Sequence, residues 1–395
     1  MNIKRIYLYE LFHSFMPIYA VSALLFQSNG IDVFQISLLL AINTIPCIVL
    51  EIPSGILADR WSRKNLLVIA SLLKALGFTC WLISSHFFMY AIGYICWGIS
   101  SAFCSGTKEA LLYDSLKYSS KEKMFDQIYG NCNFITKISV VLACVSGGYL
   151  SATFGMQLTL FISIICNIIA ALISLSLKEI NLYQKQQNRK KLKKLLIHTN
   201  ELRFFYKNHR ITIIILLAVC ILCTSEVLEE YDQLIISNLG LSLSYVGLWA
   251  AFSGISEALG SLLASYIKKI LIKKLHIKKP STIISIIGIL GAFCLSITSI
   301  IQQLWSLSFF AVYYFFISTC SVLTEDYLQQ QITAEGRSTV HSIVSLFMSL
   351  FSLILFVFLG VIFHGTSIFS GLLIISVLMI STIILFCVIL SHIDK

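Results

Sequence analysis

The sequence predicts an all-α integral membrane protein with twelve transmembrane helices in two pseudo-symmetric six-helix bundles. Two features of composition favour this class: 57% of the 395 residues are hydrophobic and only 12% are charged, whereas soluble domains carry about 25% charged residues. The third observation is spacing, because a spanning helix needs about 20 mostly apolar residues and about twelve such runs follow one another along the chain. A mean hydropathy of +0.86 excludes an ordinary soluble enzyme.

The predicted spans have clear separations, and several exceed the length that a bilayer requires, which indicates tilt. They lie at 6–28, 34–58, 65–84, 88–116, 127–150, 156–177, 211–237, 243–267, 281–300, 304–330, 338–363 and 366–391. Alternating β-barrel patterning is absent, so a helical bundle is the expected way to satisfy the backbone in lipid. The first run is too long for a cleavable signal peptide and lacks a small-residue cleavage site.

The basic charge follows the predicted topology. Among the 29 Lys and Arg, only Lys74, Lys108 and Lys137 fall inside spans. The others lie at the termini or in loops on one side, and such an excess marks the cytoplasmic side. We therefore expect both termini to be cytoplasmic. The net charge of +10 is explained by topology, and a nucleic-acid surface is not expected.

A long polar stretch divides the chain into halves that resemble each other. We predict an N-terminal six-helix bundle at 1–178, a cytoplasmic linker at 179–210 and a C-terminal bundle at 211–395. Two spacings recur in the halves: Glu51-x7-Asp59 as Glu257-x7-Ser265, and Ser105-x3-Glu109 as Ser321-x3-Glu325. Internal repeats of this kind are typical of secondary transporters.

The most specific motif lies between the second and third spans. It reads Gly55-Ile56-Leu57-Ala58-Asp59-Arg60-Trp61-Ser62-Arg63-Lys64. This segment resembles the signature of major facilitator superfamily transporters, roughly Gly-x-Leu-Ala-Asp-Arg-x-Gly-Arg-Lys, and departs from it at Ser62. The resemblance extends over the whole chain and implies the major facilitator fold, with no cofactor and no metal.

The resemblance also implies roles for the signature residues. Asp59 is expected to meet the start of the eleventh span near Gly336-Arg337-Ser338, because a helix N-terminus stabilises a carboxylate by about 0.3–1 kcal/mol. Arg63 is expected to pair with Asp114 at the inner end of the fourth span. The alternative is that Asp59, Arg60, Arg63 and Lys64 are solvated loop charges.

The segment 106–116 resembles a bacterial, drug-efflux-like branch of the superfamily, and Gly147-Gly148 retains the end of a motif found in its exporters. We therefore expect a proton-coupled exporter in the bacterial cytoplasmic membrane, moving a drug, siderophore or peptide antibiotic by alternating access and working as a monomer in contact with lipid. A proton-coupled nutrient importer is the first alternative. A membrane-embedded lipid or acyl transferase is the second, but the sequence contains no P-loop, nucleophile elbow or HExxH motif, and we expect no enzyme.

Ionisable residues inside spans are functional candidates because they are costly there. On the seventh span Glu226, Glu229, Glu230 and Gln233 have the spacing i, i+3, i+4, i+7 of one helical face. Clustered carboxylates at low dielectric favour the protonated form of at least one, which suits coupling to protons. The alternative is a vestibule open to water.

Other charged positions in the spans carry weaker expectations. Glu10 and His13 share a face of the first span and form either a proton relay or a structural pair. Lys137 and Glu257 are expected to form an ion pair, and the echo between Glu109 and Glu325 marks both as cavity or gate residues. The third span usually faces lipid in the resembling fold, so Lys74 is expected either to extend its ammonium to the membrane interface or to have a local partner.

Aromatic residues are candidates for the wall of a substrate cavity, and most of them are equally explained by packing. The candidates are Tyr94, Trp97, Trp249 and Tyr313. The 12 Cys lie mostly in apolar runs, where disulfides and metal sites are not expected.

Overall fold

The predicted fold class is confirmed in the computed structural model of the protein, which describes residues 2–121, 124–179, 209–274, 276–277, 279–331 and 337–393. Within these ranges twelve helical segments are long and apolar enough to cross a membrane. The chain is therefore a multi-pass, all-helical membrane protein.

The described residues form fifteen α-helices, because several spans consist of more than one helix. They are α1 (Asn2–Ser14), α2 (Ser22–Ser28), α3 (Val33–Arg60), α4 (Arg63–Ile83), α5 (Phe87–Cys104), α6 (Thr107–Tyr118), α7 (Phe125–Phe154), α8 (Met156–Ser176), α9 (His209–Glu229), α10 (Asp232–Asn238), α11 (Leu243–Lys274), α12 (Pro280–Ile301), α13 (Leu307–Gln331), α14 (Arg337–Gly365) and α15 (Ile368–Ile393). Short 3-10 segments at Pro17–Val21 and Leu304–Ser306 precede α2 and α13.

The chain divides into two compact units. The first contains residues 1–190 and 240–251, and the second contains residues 191–239 and 252–395. The beginning of α11 thus groups with the first unit, although the sequence assigns it to the C-terminal bundle. The predicted linker lies outside the described residues from 180 to 208, and the predicted domain borders stay predictions.

Three spans expected as continuous helices are interrupted. The first breaks between α1 and α2, the fourth at Ser105–Gly106 and the seventh at Glu230–Tyr231. Gly106 has a φ of +69°, a conformation that glycine adopts without the steric penalty of a Cβ. Each break leaves helix-terminal backbone groups inside a span, and such groups are tolerated in membranes where the protein itself or a cavity supplies partners.

Local sequence explains where neighbouring helices begin. The Asp32 side chain accepts a hydrogen bond from Gln35 N at 2.7 Å, and the Gln35 side chain accepts one from Asp32 N at 3.1 Å. This reciprocal pair is a capping box, and it starts α3. The Ser62 hydroxyl accepts from Asn65 N at 3.1 Å and caps α4. The loop between α3 and α4 has two residues: Trp61, whose N–H donates to Leu57 O at 2.8 Å at the end of α3, and the capping Ser62.

Each unit has its own apolar core. In the first unit, residues of α1, α4, α6, α7 and α8 pack together, among them Tyr9, Leu67, Leu111 and Ala170. In the second unit, Ile215, Val219 and Cys223 of α9 pack against α14. These cores hold the helix ends and polar side chains of the candidate sites in fixed positions.

Candidate functional site

The signature segment places a buried ion pair at the inner end of the first unit. Arg63 Nη1 donates to Asp114 Oδ2 at 2.6 Å, and the two side chains are only 3% and 2% exposed. This contact joins the start of α4 to α6. A buried pair with so short a distance fixes geometry, because removing either partner would leave an uncompensated charge.

A second acidic residue, Glu179, contacts the same end of α4. The Glu179 carboxylate, just beyond α8, accepts from the backbone N–H groups of Arg63 at 3.2 Å and Lys64 at 2.9 Å. The Ser62 hydroxyl donates to the same carboxylate. Glu179 therefore caps the N-terminus of α4, and it gives a structural reason for Ser62 at a position where the family pattern has Gly.

Other signature residues have less defined surroundings. Gly55 is exposed, and Lys64 is half-buried. The structure does not describe the side chains of Asp59 and Arg60. The same holds for the segment 336–338, which was expected to face Asp59. The expected contact between Asp59 and the eleventh span stays a prediction.

The span of α7 is closely packed at its glycine pair, the remnant of the exporter motif. A Cβ on Gly147 would lie 2.1 Å from the Pro17 carbonyl oxygen, and one on Gly148 would lie 2.7 Å from that of Leu243. Real Cβ contacts are not that short, so α7 approaches both segments only because neither residue has a side chain. All of these contacts lie within the first unit.

Glu10 connects three helices of the first unit. Lys108 Nζ lies 3.1 Å from both Oε1 and Oε2 of Glu10, and Thr136 Oγ1 donates to Oε2 at 3.1 Å. These contacts join α1, α6 and α7. Glu10 is 3% exposed, so its charge depends on Lys108 for compensation.

His13 belongs to a chain of contacts beside this pair and, among the described residues, makes no hydrogen bond or ion pair with Glu10. Its Nδ1 lies 3.4 Å from Ser71 Oγ, and its Nε2 lies 3.7 Å from Cys104 Sγ. The Cys104 sulfur also lies 3.3 Å from the Tyr9 hydroxyl, and the Tyr9 and His13 rings stack at 5.0 Å. Glu10 and His13, which were expected to share a face, therefore contact different residues: Glu10 contacts Lys108 and Thr136, and His13 contacts Ser71 and Cys104.

Of the two expectations for Lys74, the structure agrees with a local partner and not with an ammonium that extends to the interface. The residue is 6% exposed, and its Nζ lies 5.2 Å from the centre of the Trp97 ring. Such a cation–π contact contributes about 0.5–2 kcal/mol, while burial of an ammonium still costs several kcal/mol. Lys74 is therefore an interior cation of the first unit, which the apolar sequence around it did not indicate.

The seventh span also differs from its prediction. Glu226 and Glu229 are exposed on α9, Glu230 is half-buried in the break, and Gln233 is buried on α10. The four residues therefore do not share one continuous helical face, because the chain turns between Glu229 and Asp232. Glu226 and Glu229 remain together as the exposed acids of α9.

Polar groups of the second unit gather beyond that break. Tyr314 donates to Asp232 Oδ1 at 2.8 Å, and the neighbouring Tyr313 is fully buried. The backbone carbonyl of Glu257 accepts from Ser318 Oγ at 2.8 Å. Asp232, which sequence reasoning did not select, is buried and accepts the Tyr314 hydrogen bond.

The remaining candidate charges are distributed over both units. Lys137 is exposed on α7 in the first unit, while Glu257 is half-buried and Glu325 exposed in the second. Glu109 Oε2 is buried and has no hydrogen-bond partner among the described residues. The echo between Glu109 and Glu325 does not extend to local structure, since α6 begins next to Glu109 whereas α13 is continuous through Glu325.

Most of the aromatic side chains proposed to line a cavity are buried within the protein. Tyr94 is 4%, Trp249 is 6% and Tyr313 is 0% exposed, so these three side chains are closely packed and their place in a cavity wall stays a prediction. Trp97 is half-buried and stays a candidate. No group of three metal-ligating side chains occurs within the residues that the structure describes.

Comparisons with known proteins agree on one architecture. The family model for the Major Facilitator Superfamily matches residues 6–356. The fold is similar to the nucleoside transporter NupG (TM-score 0.73, 16% identity, covering 98% of this chain and 99% of that one). It is also similar to a bacterial homologue of the human lysosomal transporter Spinster (0.72, 15%, 99% and 95%) and to a D-xylose-proton symporter (0.72, 12%, 97% and 96%). The search of curated proteins found no match.

Proposed function

Because the chain belongs to the major facilitator superfamily and is a transporter rather than an enzyme, we propose that it exports a small molecule in exchange for protons. The expected substrates are drugs, siderophores or peptide antibiotics. We further propose that it resides in the bacterial cytoplasmic membrane with both termini cytoplasmic, as the distribution of Lys and Arg predicts.

The observation that carries transport is the buried Arg63–Asp114 pair within the signature. Its 2.6 Å contact and its burial link the loop between the second and third spans to the fourth span, and Glu179 fixes the same loop from α8. An inner end held by three helices can move as one body, which is what rocking of a bundle in alternating access requires.

Export rather than import is favoured by the glycine pair on α7. The close approach of Gly147 to the 3-10 segment of the first span, and of Gly148 to the start of α11, keeps the space at these positions too small for side chains. Exporters that resemble this chain carry glycines at the corresponding place. The close backbone contacts that require glycine at these two positions are therefore present in this chain, although the rest of the exporter motif is not.

Coupling to protons is assigned to the exposed acids of α9. Glu226 and Glu229 lie one helical turn apart on the same span, and they act on each other electrostatically. A carboxylate that binds either a proton or substrate links the two, since each ligand disfavours the other. Glu226 is the first candidate and Glu10 with His13 the second.

The test uses proteoliposomes with an imposed pH gradient and a radiolabelled compound that they accumulate. We expect wild type to accumulate it uphill, and Glu226→Gln, which mimics the protonated acid, to lose uphill accumulation while retaining exchange without a gradient. Asp326→Asn is the matched control, since Asp326 is an acid of the second unit that lies on another helix and pairs with Lys268. Full gradient-driven transport by Glu226→Gln would remove Glu226 from the mechanism.

A further inference from the structure

A cluster of charged side chains surrounds Glu10 in the first unit. Two ammonium groups, those of Lys74 and Lys108, belong to this cluster, and each interacts electrostatically with Glu10. Glu10 directs both carboxylate oxygens to Lys108, and one of them also accepts from Thr136. Lys74 makes no hydrogen bond or ion pair with any described residue.

The neighbours of Lys74 do not supply the missing negative charge. His13, Ser71 and Cys104 are neutral groups that contact one another. Glu109 forms no ion pair with either ammonium in the described part of the chain, and Asp114 is committed to Arg63. Within the described part of the chain, the buried Lys74 ammonium therefore has no anion in direct contact.

Two polar side chains without hydrogen-bond partners lie on the fourth span, which also carries Lys108. The hydroxyls of Ser100 and Thr107 are fully buried, and neither has a hydrogen-bond partner among the described residues. Buried hydroxyls are normally paired. Both can donate, which is the capacity that an incoming carboxylate uses.

The surroundings of Lys74 also favour an aromatic ligand. The Trp97 ring lies over the Lys74 ammonium and is half-buried. The Tyr19 ring is also half-buried, and its centre lies 6.1 Å from the centre of the Trp97 ring. The Lys108 side chain is 26% exposed. A ligand that approaches this face meets an aromatic surface and an accessible ammonium, with the second ammonium behind the ring.

We propose that Lys74 and Lys108 bind the carboxylate of an aromatic acid whose ring packs against Trp97. Glu10 occupies Lys108 in the empty protein, and the ligand carboxylate displaces it. The inference rests on the proposed function, because it names the substrate class of the transporter: small aromatic or amphipathic carboxylic acids.

Binding to the purified full-length chain in dodecyl maltoside tests this assignment. The probe is benzoate, and benzamide is the uncharged control of the same shape. Isothermal titration should show benzoate binding at least about tenfold tighter than benzamide, a difference of about 1.4 kcal/mol. Lys74→Met should abolish this preference without weakening benzamide binding, and Lys74→Arg should retain it. Glu10→Gln should tighten benzoate binding several-fold, because Lys108 loses its internal competitor.

Two controls separate binding from general structural effects. Lys273→Met removes a positive charge from an exposed position on α11 and should leave the affinity for benzoate unchanged. Lys74→Met without ligand should unfold at the same temperature as wild type or a higher one, since it removes an unpaired buried charge.

Equal affinities for benzoate and benzamide in wild type, or unchanged benzoate binding in Lys74→Met, would overturn the assignment. Benzoate that fails to bind wild type also counts against it. These outcomes do not depend on coupling to protons. Failure of gradient-driven transport with intact benzoate selectivity would instead contradict the proposed function.

Discussion

Replacing Asp114 by Asn is expected to destabilise the first unit strongly. The substitution keeps the shape of the side chain and removes the charge that faces Arg63 at 2.6 Å. Because the two side chains are 3% and 2% exposed, water does not replace the lost partner. Breaking a buried ion pair in this way costs about 3–5 kcal/mol, so the free energy of unfolding should fall by that amount.

The second unit supplies a matched control. Lys268 and Asp326 form an ion pair with the same separation of 2.6 Å, but their side chains are 34% and 44% exposed. Exposed pairs contribute about 0–1 kcal/mol. Asp326→Asn should therefore lower the free energy of unfolding by less than about 1 kcal/mol.

Unfolding by sodium dodecyl sulfate in mixed micelles, followed by circular dichroism, measures both effects. The double variant Arg63→Met/Asp114→Leu provides a further comparison, because replacing both charges of a buried pair by apolar groups is often neutral or stabilising. If Asp114→Asn and Asp326→Asn have equal effects, or if the double variant is as unstable as Asp114→Asn, burial of the pair is not the cause.

Three further predictions follow from the signature, the charge distribution and the glycine pair. Asp59→Asn should express nearly normally and transport poorly, and wild-type transport by this variant would show that the signature acid has no role in gating. In a cysteine-free background, a membrane-impermeant maleimide added outside should label a Cys placed at Asn238 and miss one placed at Gln187; the reverse pattern contradicts the topology. Gly147→Ala should lower thermal stability, because its Cβ would lie 2.1 Å from a backbone oxygen, whereas Gly130→Ala, which meets nothing within 4 Å, should be neutral or gain about 1 kcal/mol in helix propensity. Equal melting temperatures for the two Ala variants would refute the packing argument.

The spans were predictable because hydropathy depends on local composition. The interruptions within them were not, since Ser105, Glu230 and their neighbours occur in runs that read as continuous helix. A break inside a span is stabilised by partners from other helices. In the first unit, for example, Lys108 just after one break is held by Glu10 on α1, which is 98 residues away in the sequence.

The inner ion pair was accessible from sequence because a family signature links Arg63 to Asp114. The contribution of Glu179 was not, because no spacing rule relates a residue after the sixth span to the loop before the third. Its capping contacts to Lys64 N and Arg63 N exist only once α4 and α8 pack side by side. The only available signal was a single acid, Glu179, directly after the end of the sixth span.

Lys74 shows the limit of pattern reasoning in membrane proteins. Apolar residues surround it on all sides of the third span, so periodicity does not tell an interior face from a lipid face. Its contact with Trp97 depends on the packing of α4 against α5.

The direction of proton movement tests the central proposal most directly. Proteoliposomes that contain the protein and the pH indicator pyranine are clamped at zero membrane potential, and members of a panel of drugs, siderophores, peptide antibiotics and aromatic acids are added outside. Inward movement of a substrate by antiport drives protons out, so the proposal predicts a rise in lumenal pH that Glu226→Gln lacks. A fall in lumenal pH on addition of a transported compound would show symport and contradict proton-coupled export.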